Sequence, residues 1–255
     1  MLAIIASAKT QRYNTRADLP LSQPPLIEKA KMLAAHCRQY SRREIKSIMK
    51  VSDKLAESTV QRFLDFSTPH ERKTASPALI TFAGDVFAAI QHDSFTPDDF
   101  LFAQERLRIL SGLYGILRPL DLMMPYRLEM GYKIAPGKAV SLYEYWADSV
   151  TQQLNDDLQR IDSSTLLNCA SREYSQTVLT KKLAGTMFTL TFKQRREGTV
   201  KSFAIYGKRA RGMFVDWFIE NRIDTPDQLK DFNRGGYRFA KHMSTDSELV
   251  FICDI

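Results

Sequence analysis

The stretch Ile109–Gly131 reads ILSGLYGILRPLDLMMPYRLEMG and carries the most structural information in the chain. It is mostly apolar, yet it contains two prolines, three glycines and four charged residues, which are Arg118, Asp121, Arg127 and Glu129. A core strand would exclude these charges, and a surface loop would not need so many Leu, Met and Tyr side chains. The composition suits the floor of a cleft, where apolar side chains hold the segment to the core and selected polar groups face the opening.

The charges in this segment allow two interpretations. Arg118 and Arg127 carry planar guanidinium groups suited to phosphate or carboxylate, and Asp121 and Glu129 could orient them through charge-assisted hydrogen bonds. Alternatively, Arg118 with Asp121 and Arg127 with Glu129 form ion pairs that only fix the loop, because buried charges need partners whatever their function. The two interpretations can coexist, since a carboxylate that holds an arginine in place also supports its function.

Length and composition are those of a globular protein. The chain has 255 residues, 44% hydrophobic and 25% charged, which is enough to bury a substantial core. It contains no run of 18 apolar residues, so we expect no membrane span, and its first ten residues lack the basic region of a signal peptide. Three widely spaced cysteines do not form a disulfide framework. We therefore expect a cytoplasmic protein with reduced thiols.

Basic residues cluster in two parts of the chain, whose formal net charge is +7. An unclustered excess of this size can simply serve solubility, whereas nucleic-acid binders concentrate it on one face. The first cluster consists of Arg38, Arg42, Arg43, Lys46, Lys50 and Lys54. The second consists of Lys181, Lys182, Lys193, Arg195, Arg196, Lys201, Lys208, Arg209 and Arg211. This clustering favours a nucleic-acid partner.

Hydrophobic periodicity and turn residues predict the order of helices and strands. Strands are expected at 2–6, 79–83 and 165–169, with hairpins formed by 187–194 with 199–206 and by 237–242 with 248–253. Helices are expected at 26–40, 41–49, 53–66, 84–90, 96–112, 141–160, 207–221 and 226–232, and a loop at 11–25. The prediction is an α/β fold, mixed α+β in character: one compact domain over residues 1–255 with a mixed sheet and flanking helices. Residues 41–66 are expected to form a projecting helical lobe.

The segment Ile48–Ala56, IMKVSDKLA, partly matches a helix-hairpin-helix element, in which a tight turn between two helices binds a phosphate. On that template Lys50 and Ser52 occupy the two glycine positions, Val51 is the buried residue, and Lys54 lies at the start of the second helix. Free backbone N–H groups and the positive end of the helix dipole would contact the phosphate, without reading the base. Alternatively, Ser52 is only an N-cap between two core helices.

Several common motifs are absent. The four histidines have no partner at metal-ligand spacing, so we expect no metal, and no sequence feature calls for a cofactor. The segment GYKIAPGK at 131–138 has its glycines one residue too far apart for a phosphate-binding P-loop. Cys169 follows a predicted strand, but a small buried cysteine is the more frequent occupant of such a position.

The long motif SGLYGILRPLDLMMPYRLEMG resembles the corresponding segment of the bacterial YaaA-type peroxide-stress-resistance proteins. The similarity extends over essentially the whole chain and includes AKT at 8–10, VSDKLA at 51–56, FAGDVF at 82–87, NCASREY at 168–174 and YGKRAR at 206–211. One departure is that Ala6 and Ser7 replace the Ser-Pro that usually precedes this AKT. The resemblance implies a single α/β fold, a basic cleft, a helix-hairpin-helix element, DNA binding and a role in limiting oxidative damage.

Further candidate residues follow predicted strands or begin a predicted helix. Lys9 follows the first strand, where open α/β sheets place ligands. Lys208, Arg209 and Arg211 lie near a helix start, where positive charge opposes the dipole, so a bound phosphate would explain them. Asn168, Ser171, Glu173 and Tyr174 follow another strand, where Ser171 could equally be a helix cap and Tyr174 a packing residue.

Two functions remain open at this point. The first is sequence-independent binding of double-stranded DNA through Lys9, Lys50, Ser52, Lys54, Arg118, Arg127, Lys208, Arg209 and Arg211. The alternative is an enzyme that acts on a nucleotide or on damaged DNA, with Lys9, Glu129, Glu173 and Tyr174 as candidate catalytic residues. In that case a lysine would act as nucleophile and a glutamate as acid or base. No protein partner can be inferred.

Overall fold

The structure is a computed structural model that describes residues 1–14, 16 and 18–255. Its strands are β1 (Leu2–Ala6), β2 (Thr10–Gln11), β3 (Ser76–Pro77), β4 (Phe82–Ala83), β5 (Leu107–Ser111), β6 (Gly115–Leu117), β7 (Leu122–Met123), β8 (Thr165–Asn168), β9 (Thr186–Arg196), β10 (Thr199–Lys201), β11 (Arg238–Phe239) and β12 (Glu248–Asp254). Its α-helices are α1 (Ile27–Cys37), α2 (Arg42–Met49), α3 (Asp53–Asp65), α4 (Ala78–Thr81), α5 (Pro97–Arg106), α6 (Leu142–Arg160), α7 (Arg172–Ser175) and α8 (Ala204–Glu220).

A mixed sheet of eight strands forms the centre of the molecule. Its order is β11-β12-β9-β8-β1-β5-β6, with β10 paired to β9. The strands from β12 to β5 all run parallel, whereas β6, β10 and β11 are antiparallel to their neighbours. The apolar run of β1 is buried between β5 and β8, as its sequence predicts for a covered parallel strand. The predicted single α/β domain with a mixed sheet and flanking helices is confirmed.

The helix predicted for 96–112 is correct at its start and wrong at its end. Thr96 accepts a hydrogen bond from the Asp99 N–H, the capping box is complete, and Pro97 occupies the first turn. The helix ends at Arg106, however, and Leu107–Ser111 forms β5 beside β1. A short buried apolar run has no clear helical or strand period, so here the pairing with a distant strand decides the conformation.

Arg108 is buried inside β5 and is completely enclosed. Its guanidinium donates two hydrogen bonds to the Asp157 carboxylate of α6, with N–O distances of 2.6 and 2.7 Å. Burial raises the pKa of Asp157, but the hydrogen bonds and charge of Arg108 outweigh it, so this pKa lies below its ordinary value. The ion pair therefore joins the central sheet to the helix that covers it.

Other predicted boundaries need correction. Residues 79–83 are not a strand: 78–81 form the helical turn α4, in which the Thr81 hydroxyl donates to the Pro77 carbonyl, and only Phe82–Ala83 is extended. Short 3-10 helices replace the α-helices predicted at 84–90 and 226–232. The helix predicted at 207–221 begins earlier, at Ala204, so the hairpin strand before it ends at Lys201. The loop predicted for 11–25 includes Thr15 and Ala17, which lie outside the described residues.

Helices α1, α2 and α3 form a helical lobe beside the turn that joins β5 to β6. The predicted capping box of Ser41 and Glu44 is present at the start of α2. The ring of Phe66, directly after α3, lies 5.9 Å from the ring of Tyr114 in that turn. Arg62 of α3 reaches the Tyr126 carbonyl at 3.4 Å. The lobe is therefore packed against the segment that contains the long motif.

A candidate binding cleft at the carboxyl edge of the sheet

A cleft of about 310 Å³ opens where β1 and β8 end. The chain passes from β1 to β5 on one side and from β8 to β9 on the other, so the connections diverge between β1 and β8. Open α/β sheets bind ligands at such a switch point, outside the carboxyl ends of the strands. The cleft is lined by Ala6, Ser7, Ala8, Lys9, Thr10, Ala83, Gly84, Asp85, Val86, Phe87, Glu129, Cys169, Ser171, Glu173, Tyr174, Lys208 and Arg211.

Lys9 and Glu129 form an ion pair at this cleft. The Lys9 ammonium nitrogen lies 2.8 Å from a Glu129 carboxylate oxygen, and the two side chains are 60% and 13% exposed. Glu129 reaches the sheet edge because its neighbour Leu128 packs on Gly112, directly after β5. A Cβ at Gly112 would lie only 2.2 Å from the Leu128 carbonyl oxygen. The motif therefore requires glycine at 112 to place the carboxylate.

A small pocket beside the cleft contains Arg127. Its guanidinium lies 3.7 Å from Glu129, and its side chain is 16% exposed. The Arg127 Nε atom is buried without a hydrogen-bond partner among the described residues. The predicted pairing of Arg127 with Glu129 is therefore present, although at a distance longer than that between Lys9 and Glu129.

The residues after β8 line the opposite side of the cleft. Asn168 holds the turn, because its side-chain oxygen accepts from the Ala170 N–H at 3.0 Å. Glu173 accepts from the Gly131 N–H at 3.1 Å, which connects α7 to the end of the long motif. Tyr174 is buried, and burial raises the pKa of its phenol well above the usual value. At neutral pH the phenol is therefore a hydrogen-bond donor and not a base.

Helix α8 supplies two cations to the cleft. Gly212 lets the helix approach the segment 84–90 closely, since a Cβ there would lie 2.0 Å from the Val86 carbonyl oxygen. Lys208 and Arg211 are three residues apart and share the face that lines the cleft. The Lys208 ammonium lies 3.8 Å from the Asp85 carboxylate. Burial lowers the pKa of Arg211, and its Nε atom has no hydrogen-bond partner within the described part of the chain.

The turn between α2 and α3 lies beside this cleft. Lys50 adopts the left-handed conformation, with φ 51° and ψ 51°, and the Ser52 hydroxyl accepts from the Leu55 N–H at 3.4 Å. The Tyr132 hydroxyl donates to Glu129 at 3.1 Å and lies 3.5 Å from the carbonyl oxygen of Met49, the last residue of α2. One tyrosine thus connects the turn to the floor of the cleft.

Two predicted residues lie elsewhere. Strand β6 runs antiparallel to β5, so Arg118 lies towards the amino side of the sheet, away from the cleft. There it forms an ion pair with Asp121 at 2.9 Å and donates to the Gln23 carbonyl, in agreement with the internal ion-pair interpretation. Arg209 points into a separate groove with Tyr206 and Ile255. Helical spacing explains the difference: Lys208 and Arg211 are three residues apart and share one face of α8, whereas Arg209 lies on another face.

The residues that sequence reasoning missed are Ser7, Asp85 and Tyr132. Asp85 lies inside the FAGDVF motif, and membership of that motif could have marked it as a candidate site residue.

Among the described residues, no group of three or more His, Cys, Asp or Glu side chains is arranged to hold a metal ion. In that same part of the chain, no helix is both long and apolar enough to span a membrane.

The fold and the cleft define a class of protein: a single α/β domain with a polar cleft at the carboxyl edge of a largely parallel sheet, next to a helical lobe. A family model described as "Peroxide stress protein YaaA" matches residues 1–243. A UPF0246 protein of Acaryochloris marina is 43% identical over 251 residues, which cover 98% of this chain and 99% of that protein. UPF0246 proteins of Idiomarina loihiensis and Cellvibrio japonicus are 44% and 42% identical, each covering 98% of both chains. The chain belongs to the peroxide stress protein YaaA family.

Proposed function

We propose that this protein binds double-stranded DNA without regard to base sequence, in the setting of the peroxide stress response to which its family belongs. The principal phosphate contact is assigned to the turn between α2 and α3. The observation that carries the proposal is the left-handed conformation of Lys50. Glycine commonly occupies such a position at a helix end. Because Lys50 adopts it, the tight turn forms although the sequence lacks both glycines of the helix-hairpin-helix template.

The start of α3 offers the donors that a phosphate needs. The first N–H groups of a helix have no acceptor within the helix. The Ser52 hydroxyl accepts from the Leu55 N–H. The N–H groups of Asp53 and Lys54 point out of the N-terminal end of α3, where a phosphate can accept from them. These N–H groups and the helix dipole favour an anion. A contact of this kind involves the DNA backbone alone, so it is independent of the base sequence.

The surface around the turn is cationic. Its exposed basic residues are Arg42, Arg43, Lys46, Lys50 and Lys54. Within residues 42–54 two carboxylates oppose them. Glu44 is held by Ser41 in the capping box of α2, and Asp53 lies 2.5 Å from the Lys46 ammonium, with the two side chains of that pair 60% and 48% exposed. An exposed ion pair of this kind is weak, so Lys46 can exchange Asp53 for a phosphate at little cost.

An enzyme that acts on a nucleotide or on damaged DNA is the second candidate. It is favoured by the position of Lys9, Glu129 and Glu173 around one cleft at the switch point of the sheet. Lys9 would be the nucleophile and a glutamate the acid or base. Borohydride trapping on a duplex with an abasic site tests this candidate, and the absence of an adduct at Lys9 would remove the lysine mechanism.

The DNA-binding proposal is tested by removing the charges at the turn without changing its backbone. The double variant Lys50→Gln/Lys54→Gln is compared with Lys230→Gln/Lys241→Gln, which removes the same charge near β11, at the opposite edge of the sheet. By fluorescence anisotropy we expect the turn variant to lose about tenfold or more in duplex affinity. The control is expected to retain most of it. Equal losses in both variants would show that only net charge matters and would reject the turn as the contact.

A further inference from the structure

The size of the cleft limits what it can bind. Its volume is about 310 Å³, at the lower end of the range of pockets that bind small molecules, about 300–1,000 Å³. A base pair with its two backbones cannot enter such a space, because a pocket of this volume holds one small ligand. The size therefore selects a single nucleotide unit over a base pair.

The α8 side of the cleft is suited to a phosphate. Among the described residues, no carboxylate oxygen lies within 4.0 Å of the Arg211 guanidinium, and the nearest acid to Lys208 is Asp85 at 3.8 Å. The nearby Cys169 thiol is no counter-ion, since burial raises its pKa to about 12 and keeps it neutral. A largely buried guanidinium needs an anionic partner. A phosphate offers several acceptor oxygens in the geometry that guanidinium groups bind.

The other walls are suited to a nucleobase. Ala6 at the end of β1, Ala8 after that strand and Ala83 in β4 contribute small apolar side chains that can contact the face of a base. The Ser7 hydroxyl and the Glu129 carboxylate offer polar atoms to its edge. Apolar walls with a few placed polar groups are typical of sites that bind small organic molecules.

The cleft lies close to the α2–α3 turn, and Tyr132 connects the two. Glu129 at the cleft and Met49 at the end of α2 are both within 3.5 Å of the Tyr132 hydroxyl. A DNA strand whose phosphate lies on the turn therefore passes next to the cleft opening. A base of that strand would have to leave the stack to enter, as in enzymes that extrude nucleotides from a duplex.

We propose that the cleft binds one nucleotide, with its phosphate at Lys208 and Arg211 and its base against the alanine-lined wall. The same chemistry is available from two sources, a free mononucleotide or a nucleotide extruded from a duplex. The duplex source rests on the DNA binding proposed above, whereas the free nucleotide does not.

The first arm of the test uses a free nucleotide. 2-Aminopurine deoxyriboside 5′-monophosphate is titrated with protein, and its fluorescence reports binding. We expect Arg211→Gln to weaken binding about tenfold or more, and Lys208→Gln to weaken it less because Lys208 is more exposed. Arg172→Gln is the charge-matched control, because Arg172 is exposed beside Ser171 but does not line the cleft. The nucleoside without phosphate should bind weakly, and its affinity should not depend on Arg211.

The second arm places 2-aminopurine in the middle of a duplex that is saturated with protein, as judged by anisotropy. Extrusion from the stack raises its fluorescence, and we expect this rise to disappear in Arg211→Gln and to persist in Arg172→Gln. Circular dichroism checks the fold, and Lys208→Gln replaces Arg211→Gln if the latter does not fold. A signal that depends on Arg211 or Lys208 in either arm supports the proposal.

No free-nucleotide binding, together with no fluorescence rise on a saturated duplex, would overturn the inference while leaving the DNA-binding proposal intact. If the duplex does not bind at all, the DNA-binding proposal fails, and the free-nucleotide arm alone decides whether the cleft is a nucleotide site.

Discussion

Lys9 and Glu129 are joined by an ion pair of 2.8 Å that connects the end of β1 to the long motif after Pro125. The two partners differ in environment. The carboxylate is 13% exposed and also contacts Arg127 at 3.7 Å and Tyr132 at 3.1 Å, whereas the ammonium is 60% exposed. Glu129 is therefore the shared partner of several groups at the cleft. Loss of the Lys9 ammonium would leave Glu129 with its contacts to Arg127 and Tyr132, so Lys9 contributes little to the stability of the fold.

The two single substitutions at this pair should have unequal effects on stability. Lys9→Gln removes an exposed ion-pair partner and should lower the free energy of unfolding by less than about 1 kcal/mol. Glu129→Gln leaves Arg127 partly buried without its carboxylate and should cost about 1–3 kcal/mol. Urea denaturation measures both. An equal cost for the two variants would contradict the role assigned to Glu129.

Gly212 and Gly207 form a matched pair on α8. A Cβ at Gly212 would lie 2.0 Å from the Val86 carbonyl oxygen, whereas one at Gly207 meets nothing within 4 Å. Gly212→Ala should therefore destabilise the protein by about 1–3 kcal/mol. Gly207→Ala should stabilise it by up to about 1 kcal/mol, because alanine is the better helix former. Thermal or urea unfolding checks both signs, and a neutral Gly212→Ala would mean that the helix does not approach residues 84–90 this closely.

Lys50 occupies a backbone conformation that favours glycine. Lys50→Gly should raise the free energy of unfolding by about 1 kcal/mol, since a left-handed residue with a Cβ is strained. Its control is Lys54→Gly in the first turn of α3, which should cost up to about 1 kcal/mol. Denaturant unfolding distinguishes the two. Destabilisation by Lys50→Gly would show that Lys50 is in the ordinary helical region.

Asp53 is a carboxylate at the helix start that would face the DNA phosphate. Asp53→Asn removes this repulsion and frees Lys46, so the duplex affinity should increase severalfold. Stability should change in the opposite direction, because an acid at a helix start interacts favourably with the dipole. Anisotropy with wild type and variant at one salt concentration measures the affinity. An unchanged affinity would place the phosphate contact elsewhere.

The Arg108–Asp157 ion pair predicts part of the acid sensitivity of the fold. The pKa of Asp157 is lowered in the folded state, so the stability it contributes is present above the ordinary aspartate pKa of about 3.9. That contribution is lost as the pH falls through the lower folded value. Asp157→Asn should cost about 3–5 kcal/mol at pH 7, because Arg108 remains buried without a charge partner. The cost should shrink in acid, and unfolding curves at decreasing pH should show the difference between the two proteins narrowing as the pH falls below about 3.9.

Local signals predicted the elements whose determinants lie close together in sequence. The capping boxes at Ser41 and Thr96 depend on a residue three positions later, and both are confirmed. Strand β5 was missed because its partner β1 lies about a hundred residues away, so that no local pattern identifies the pairing. The fold class follows from the pattern of elements and from the family resemblance, and both agree with the structure.

The candidate site was only partly predictable for a related reason. The long motif contains both Arg118 and Glu129, but the reversal at β6 carries them to different sides of the sheet. Their closeness in sequence suggested that Arg118 and Glu129 belong to one site, whereas the strand order places them on opposite sides of the sheet. The conjunction of Lys9, Glu129 and Arg211 depends on three distant segments, so only the three-dimensional structure brings them together.

Sequence-independent DNA binding is tested most directly by a fluorescence-anisotropy titration of unrelated duplex sequences at several salt concentrations. We expect similar affinities for all sequences and a linear fall of log affinity with log salt, with a slope of about −0.9 for each phosphate contacted. Lys50→Gln/Lys54→Gln should reduce that slope by about 2. DNA binding through the α2–α3 turn would be contradicted if no duplex bound at low salt, or if the turn variant bound with the affinity and the salt slope of the wild type.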